Sequence, residues 1–102
     1  MQNFSQGDLI KIQGFSSLFL IISKNAFIAS THMFHVCPFL SSLDEGPLHI
    51  PAVGSSGTTG TAVCEQIKLI DPSSRSCFRI DRIPYPVLMN ISDAVQGIFE
   101  YG

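Results

Sequence analysis

The first half of the chain alternates short apolar runs with turn residues, a pattern that predicts β-strands. In residues 9–13, Ile10 and Ile12 alternate with their neighbours up to Gly14, which indicates a first strand. Residues 19–22 form a continuous apolar run, which is typical of a strand buried on both faces. The link between the two segments is so short that they are predicted to form an antiparallel hairpin.

Two further strands are predicted before the middle of the chain. A polar connection without clear periodicity, residues 25–31, leads to residues 32–39, which are rich in strand-forming side chains. A shorter apolar segment, residues 48–50, lies between Pro47 and Pro51. Because proline cannot donate a hydrogen bond to a neighbouring strand, this segment is predicted to be an edge strand.

The second half contains the longest predicted strand. Residues 54–60 combine three glycines with hydroxyl side chains and are predicted to form a loop. The long strand follows over residues 61–70. After a turn at residues 71–74, another strand is predicted at residues 77–83.

A helix is predicted near the C-terminus. Pro86 suits the first turn of a helix, and from there to about residue 100 the apolar residues recur at the spacing of one helix face. Strands followed by one terminal helix predict a small α+β domain or an all-β barrel with a helical cap. The length of 102 residues predicts one domain, residues 1–102.

The composition favours a folded domain with much of its surface covered. Hydrophobic residues make up 45% and charged residues 14% of the chain, which excludes disorder from low hydrophobicity and high charge, and favours oligomerisation. The net charge is −2, so a globally basic nucleic-acid binder is not indicated. Four of the six cations lie in residues 68–82, where they could contact phosphate or line a solvated strand and turn, and the pattern leaves both interpretations open.

The cysteines and the apolar runs indicate the compartment. The three cysteines are widely spaced and form no CxxC motif, so neither a disulfide framework nor a zinc site is predicted. This cysteine usage predicts a reducing compartment. The start of the chain lacks the basic and apolar regions of a signal peptide. The longest apolar run, residues 18–22, is far too short to span a membrane. The protein is therefore predicted to be cytoplasmic, with no membrane partner.

Few residues stand out as candidates for chemistry. No Gly-Lys-Ser or Gly-Lys-Thr follows the loop at residues 54–60, so a P-loop is excluded. The spacing of His32 and His35 places them on opposite faces of a strand, and surface or cross-strand roles are favoured for both and for His49. Glu65 is the most suggestive acid, because it is predicted mid-strand on a face that carries threonines, although the spacing alone also fits an exposed strand residue.

Several segments, taken in order, resemble the PemK/MazF toxins. The most specific is the block Thr-Thr-Gly-Thr-Ala-Val-Cys-Glu-Gln-Ile-Lys-Leu-Ile-Asp at residues 58–71. Weaker matches in the right order are residues 7–10, 19–23, 35–39, 48–51 and 79–84, followed by the terminal helix. The likeness covers nearly the whole chain.

The resemblance implies a mainly β fold, an SH3-like antiparallel barrel of the Kid/CcdB/MazF type with a C-terminal α-helix, assembled as a homodimer. It implies the toxin of a type II toxin–antitoxin system, with a cognate antitoxin protein as partner. Such toxins are endoribonucleases that cleave single-stranded mRNA and arrest growth without a metal or other cofactor. Their chemistry resembles that of RNase A, in which the ribose 2′-OH attacks the adjacent phosphorus with the help of a base and an acid.

The resemblance also implies site residues. Glu65 falls at the position of a catalytic aspartate, and Ser41 falls at the second hydroxyl of a catalytic Thr-Ser or Thr-Thr pair. The resemblance places four residues along the RNA-binding groove, Gly46 and Leu48 at its edge and Thr59 and Thr61 on a strand that lines it.

Three family positions that carry a hydroxyl or a cation are occupied differently in this chain. Leu40 replaces the first hydroxyl of the pair, Ser17-Leu18 replaces an Arg-Pro, and Val63 replaces a strand arginine. Apolar neighbours such as Val63 and Leu40 are expected to raise the pKa of Glu65. The missing cation is predicted to come from the basic cluster, with Arg79 as a catalytic residue and Arg75 and Arg82 as RNA-binding residues; His32 or His35 is a possible acid.

Two alternatives remain from the sequence. One is a family member that binds antitoxin and RNA but cleaves weakly, because the usual cation is missing. The other is a DNA gyrase poison of the CcdB type, which shares the fold and acts through its C-terminal residues.

Overall fold

The computed structural model describes residues 3–41 and 44–100, which form seven strands and two helices in this part of the chain. In chain order the elements are β1 (Asp8–Ile12), β2 (Leu18–Ile21), α1 (Asn25–Thr31), β3 (Phe34–Leu40), β4 (His49–Val53), β5 (Thr59–Val63), β6 (Lys68–Ile70), β7 (Cys77–Arg82) and α2 (Tyr85–Gly97). Neither helix is long and apolar enough to cross a membrane.

The strands form one antiparallel sheet in the order β4-β5-β3-β2-β1-β7, with β6 paired to β3 beside this path. The predicted hairpin of β1 and β2 is confirmed, with Leu9 opposite Leu20. The predicted edge strand is confirmed as well, since β4 ends the sheet and pairs with β5 alone. The exposed Pro51 of β4 fits this position, because a proline at an edge sacrifices no ladder hydrogen bond.

The connection predicted at residues 25–31 is wrong, because these residues form the short helix α1. The helix has no side-chain cap at Lys24 and buries no residue fully, so its sequence carries neither of the usual helix signals. It ends at His32, which adopts a left-handed conformation (φ 58°) and donates its backbone N–H to the carbonyl of Ile28 at 2.9 Å.

The single strand predicted at residues 61–70 is also wrong. It is divided into β5 and β6, which pair with opposite ends of β3: Thr61 lies opposite Leu40, whereas Lys68 lies opposite Val36. The backbone leaves the ladder between these two strands, where the N–H of Gln66 turns back to the carbonyl of Val63 at 3.2 Å. Glu65 therefore lies in a turn rather than in mid-strand.

Two apolar clusters make up the core. One contains β1, β2, β3 and β5 residues together with Leu88 and Ile91, the buried residues of α2, so the predicted C-terminal helix packs on the sheet as expected. The other is built around Phe34 and Ile10, and partly buried Phe4 and Ile28 pack against it. Burial of both sets of apolar side chains fixes which residues of each strand face solvent.

The sheet curls until the loop after β4 meets β7, although no strand ladder closes it. The backbone N–H of Ser55 donates to the carbonyl of Arg82 at 2.8 Å. Asp81, only 6% exposed, accepts the backbone N–H groups of Ser56, Thr58 and Arg82 at 2.9, 3.1 and 2.7 Å. Burial alone would raise the pKa of Asp81, but hydrogen bonds from Thr58, Ser56 and Arg82 lower it to about 2. This carboxylate thus fastens the loop that leads into β5.

Candidate functional site

Glu65 forms a hydrogen-bonded pair with His49. His49 opens β4 and lies opposite Val63 of β5, and Glu65 follows two residues later in the turn. This register brings His49 Nε2 to 3.1 Å from Glu65 Oε2. The His49 and Glu65 side chains remain 31% and 39% exposed, so a ligand can reach both groups.

The two groups shift each other's pKa in opposite directions. The hydrogen bond from His49 lowers the pKa of Glu65 below its ordinary value. The same bond, opposed in part by desolvation, raises the pKa of His49, and the backbone carbonyl of Asp44 acts in the same direction. The expectation that apolar neighbours would raise the pKa of Glu65 is therefore wrong, because the carboxylate is exposed and has a histidine partner.

Gly46 and Leu48 lie beside this pair. The backbones of Gly46 and His49 exchange two hydrogen bonds, of 3.2 and 3.1 Å, which form a tight turn before β4. The carbonyl of Leu48 accepts the backbone N–H of Cys64 at 2.8 Å. The three positions at residues 46, 48 and 65 that the resemblance places in the site are thus gathered by one short hairpin and one turn.

Two of the three predicted hydroxyl residues, Ser41 and Thr59, line a separate groove of about 390 Å³. The groove is formed by the β1–β2 link, the end of β3 and the start of β5, and its lining includes Ser16, Ser17, Ser41 and Thr59. Ser41 and Thr59 are therefore brought together. Thr61, by contrast, lies between Leu40 of β3 and Pro51 of β4 and is only 6% exposed, so it offers little surface to a ligand.

The predicted cations are held elsewhere. Arg79 and Arg82 lie on β7, and their guanidinium groups reach the wholly buried Asp8 at 3.5 and 2.8 Å. Arg75 lies over the ring of Phe15, with Cζ 5.1 Å from the ring centroid. In residues 3–41 and 44–100 no arginine forms an ion pair with Glu65, so a single chain does not supply the missing cation in the predicted way.

Arg79 and Arg82 also line a second groove of about 450 Å³, together with Ser55 and Ser56. Their side chains remain 40% and 52% exposed despite the contacts with Asp8. Ile80 and Asp81 complete the lining, so this surface, called the β7 groove below, carries two cations, one carboxylate and two hydroxyls.

The sequence predicted a surface or cross-strand position for His49 but not its contact with Glu65. Its partner Glu65 lies 16 residues away, and only the register of β4 on β5 brings the two together. The other histidines have structural contacts: His32 ends α1, and His35 Nδ1 lies 2.9 Å from Ser23 Oγ. Within the described ranges, no three histidine, cysteine, aspartate or glutamate side chains gather into a metal site.

The fold is similar to that of solved toxins. A chain of the MazE–MazF crystal structure from Deinococcus radiodurans has a TM-score of 0.82 at 19% identity, over 96% of this chain and 97% of that chain. An endoribonuclease from mycobacterial species has a TM-score of 0.79 at 17% identity, over 95% of this chain and 91% of that chain. An endoribonuclease in complex with its cognate antitoxin, also from mycobacterial species, has a TM-score of 0.80 at 16% identity, over 98% and 100% of the two chains.

At these identities the structural likeness shows the fold. No curated protein sequence matches the chain. The model of the PemK-like, MazF-like toxins matches residues 3–99, nearly the full length. This match confirms the resemblance drawn from the sequence, and the chain belongs to the family of PemK-like, MazF-like toxins of type II toxin–antitoxin systems.

Proposed function

We propose that this toxin is an endoribonuclease that cleaves single-stranded mRNA, with Glu65 as the group that accepts the proton of the ribose 2′-OH. The observation that carries the proposal is the exposed carboxylate of Glu65, which lies in the turn after β5 and is hydrogen-bonded to His49 at 3.1 Å. Its lowered pKa keeps it ionised at neutral pH, as a proton acceptor must be.

In the proposed reaction the 2′-oxygen forms a bond to the adjacent phosphorus while the bond from phosphorus to the 5′-oxygen breaks. Glu65 takes the proton from the 2′-OH, and the leaving oxygen receives a proton. The products are a 2′,3′-cyclic phosphate and a 5′-hydroxyl end. The reaction therefore needs an RNA 2′-OH at the cleaved position, which distinguishes it from hydrolysis by water.

The surfaces around Glu65 suit a single-stranded substrate. Leu48 and Gly46 offer an open edge next to the carboxylate, and the groove with Ser41 and Thr59 offers hydroxyls for phosphate or base edges. Unpaired bases can be splayed across such shallow surfaces, whereas a duplex keeps them stacked. Thr61 contributes mainly to the sheet, because it is almost fully buried.

We also propose that the chain forms a homodimer and binds an acidic segment of an antitoxin at the β7 groove. Two observations support this. Large apolar side chains are exposed on β7 and α2, among them Phe78, Ile80, Tyr85 and Met89. The β7 groove carries two half-exposed cations against the one carboxylate of Asp81, whose oxygens are occupied by backbone N–H groups. Two of the similar structures are described as a MazE–MazF structure and an endoribonuclease with its cognate antitoxin. A monomer in sedimentation at micromolar concentration would contradict the dimer.

A second candidate is a toxin that binds antitoxin and RNA but cleaves slowly. It is favoured by the contacts of the arginines, because Arg79 and Arg82 are paired with Asp8 and lie away from Glu65. The catalytic role of Arg79 therefore stays a prediction, which depends on a partner subunit or on the substrate bringing it to the site.

The test is expression of the wild type and of Glu65→Gln in bacteria, followed by mapping of new 5′ ends in total RNA. Glutamine keeps the shape of the side chain and removes the proton acceptor, so the rate of cleavage should fall at least about 100-fold and growth arrest should disappear. Glu100→Gln, at an exposed glutamate beyond the end of α2, is the matched control and should cleave as the wild type does. Wild-type cleavage by Glu65→Gln would refute the role of Glu65, and the absence of new ends with the wild type would favour the second candidate.

A further inference from the structure

The reaction proposed above needs a proton donor for the leaving oxygen, and the described arginines do not provide one at Glu65. Arg79 and Arg82 are committed to Asp8, and Arg75 contacts Phe15 and the carbonyl of Gln13. The family positions that carry a cation elsewhere hold Ser17 and Val63 in this chain. Within the described part of a single chain, the donor is therefore sought among the other side chains near Glu65.

His49 is placed to be that donor. Its Nε2 lies 3.1 Å from Glu65 Oε2, so one end of the imidazole already faces the carboxylate that accepts the first proton. Its position is fixed by backbone contacts on both sides, because His49 pairs with Val63 of β5 and exchanges two hydrogen bonds with Gly46. The ring is 31% exposed, which leaves one part open to a substrate while the rest packs against the hairpin.

We propose that His49 is the general acid of the reaction and that it supplies the positive charge otherwise missing next to the phosphate; this inference rests on the proposed ribonuclease function. The histidine then belongs to a catalytic pair in which Glu65 takes one proton and His49 gives another. His49 at the start of β4 would thereby replace the arginine that similar toxins carry on the neighbouring strand, at the position of Val63 in this chain.

The proton transfers balance within the pair. As the 2′-oxygen bonds to phosphorus, its proton passes to Glu65, whose negative charge is thereby lost. The N–H of His49 is then no longer held by a carboxylate, and it donates its proton to the 5′-oxygen as the bond between phosphorus and that oxygen breaks. Afterwards the proton on Glu65 passes across the 3.1 Å hydrogen bond to His49, which restores the starting state.

Of the pair, His49 is the group that titrates near neutral pH, because its pKa is raised from an ordinary value of 6.5 whereas that of Glu65 is lowered from 4.5. Asp44 presents its backbone carbonyl to His49. The buried thiols of Cys64 and Cys37 stay protonated, because burial raises the pKa of Cys64 to about 11 and that of Cys37 further still. The active form needs Glu65 ionised and His49 protonated. The rate should therefore be level above the lowered pKa of Glu65 and should fall as pH rises through the raised pKa of His49.

The test is the rate of single-turnover RNA cleavage from pH 5 to pH 9 with the purified wild type and with His49→Gln. Glutamine can still donate a hydrogen bond to Glu65 but cannot release a proton, so the rate at pH 6 should fall about 10²- to 10⁴-fold. The fall of the rate at alkaline pH should also disappear. Lys24→Gln is the matched control and should cleave as the wild type does, since it also replaces a cationic side chain by glutamine and the residue is exposed just before α1.

Binding and folding are measured with the same variants. His49→Gln should retain the circular dichroism spectrum of the wild type. At the alkaline end of the pH range, where the His49 of the wild type carries no charge, the variant should bind an RNA with a 2′-deoxy group at the cleavage position within about threefold of the wild type. If His49→Gln cleaves as fast as the wild type, or keeps the alkaline fall, the inference is wrong while the ribonuclease function stands. If the wild type itself cleaves no RNA, the proposed function fails first.

Discussion

The carboxylate of Asp81 is predicted to stabilise the fold through the three backbone N–H groups that it accepts, and Asp81→Asn tests this. One carboxylate oxygen accepts the N–H groups of Ser56 and Arg82, and the other accepts that of Thr58. An asparagine of the same shape can keep its oxygen toward Ser56 and Arg82. Its amide NH₂ then faces the N–H of Thr58, so that two donors meet and neither is satisfied.

The size of the effect follows from these bonds. A hydrogen bond to a charged group contributes about 1.5–3 kcal/mol and a neutral one about 0.5–1.5 kcal/mol. Weakening two bonds by about 1–1.5 kcal/mol each and losing the third therefore costs about 3.5–6 kcal/mol. A neutral amide costs less free energy to bury than a carboxylate, and this difference offsets part of the lost hydrogen bonding. The free energy of unfolding should therefore fall by roughly 2–3 kcal/mol. For a domain of this size, a loss of that magnitude lowers Tm by roughly 10–20 °C.

The assay is urea denaturation of the wild type and of Asp81→Asn at pH 7 and at pH 3, with Asp93→Asn on the exposed side of α2 as the control. The pKa of Asp81 is lowered from 3.8 to about 2 in the folded state, so its stabilising effect is complete above the unfolded value. That effect is lost as pH falls toward 2, and the gap between wild type and variant should narrow at pH 3. A difference below about 0.5 kcal/mol at pH 7, or a gap of equal size at both pH values, would refute the reasoning.

Two further predictions concern the same end of the sheet. In Gly54→Ala the new methyl group overlaps the carboxylate of Asp81, so unfolding in urea should show a loss of about 1–3 kcal/mol, whereas Gly97→Ala, where nothing lies within 4 Å, should be neutral or stabilising. The triple variant Asp8→Asn/Arg79→Gln/Arg82→Gln removes the β7 cations without leaving a buried charge unpaired. It should bind the antitoxin at least about 10-fold more weakly in a calorimetric titration. Equal affinity of the triple variant and of the control Asp8→Asn would contradict the assigned surface.

The parts of the fold that could be predicted are those fixed by local pattern. The β1–β2 hairpin follows from two apolar runs and a short link, the edge position of β4 from its prolines, and α2 from a long apolar stripe after Pro86. The helix α1 could not be predicted, because seven residues without a cap or a fully buried face carry too little signal. The break between β5 and β6 could not be predicted either, because the strand-forming pattern of residues 61–70 is the same whether they form one strand or two that pair with different ends of β3.

The candidate site was predictable in part. The family resemblance pointed to Glu65, but its placement in mid-strand was wrong, and the direction of its pKa shift was wrong for the same reason. The partner His49 could not be found from spacing, because the pair depends on the register of β4 against β5. The commitment of Arg79 and Arg82 to Asp8 is equally invisible in the sequence, since more than 70 positions separate the partners.

The most direct test of the central claim uses one RNA oligonucleotide cleaved by the purified toxin and its twin with a 2′-deoxy group at the cleaved position. Both are incubated with the wild type and with Glu65→Gln in the presence of EDTA, and the products are identified by mass spectrometry. The predicted result is a 2′,3′-cyclic phosphate and a 5′-hydroxyl end from the RNA with the wild type, no product from the 2′-deoxy twin, and at least about 100-fold slower cleavage by Glu65→Gln. Cleavage of the 2′-deoxy twin, or equal rates for the two proteins, would contradict it.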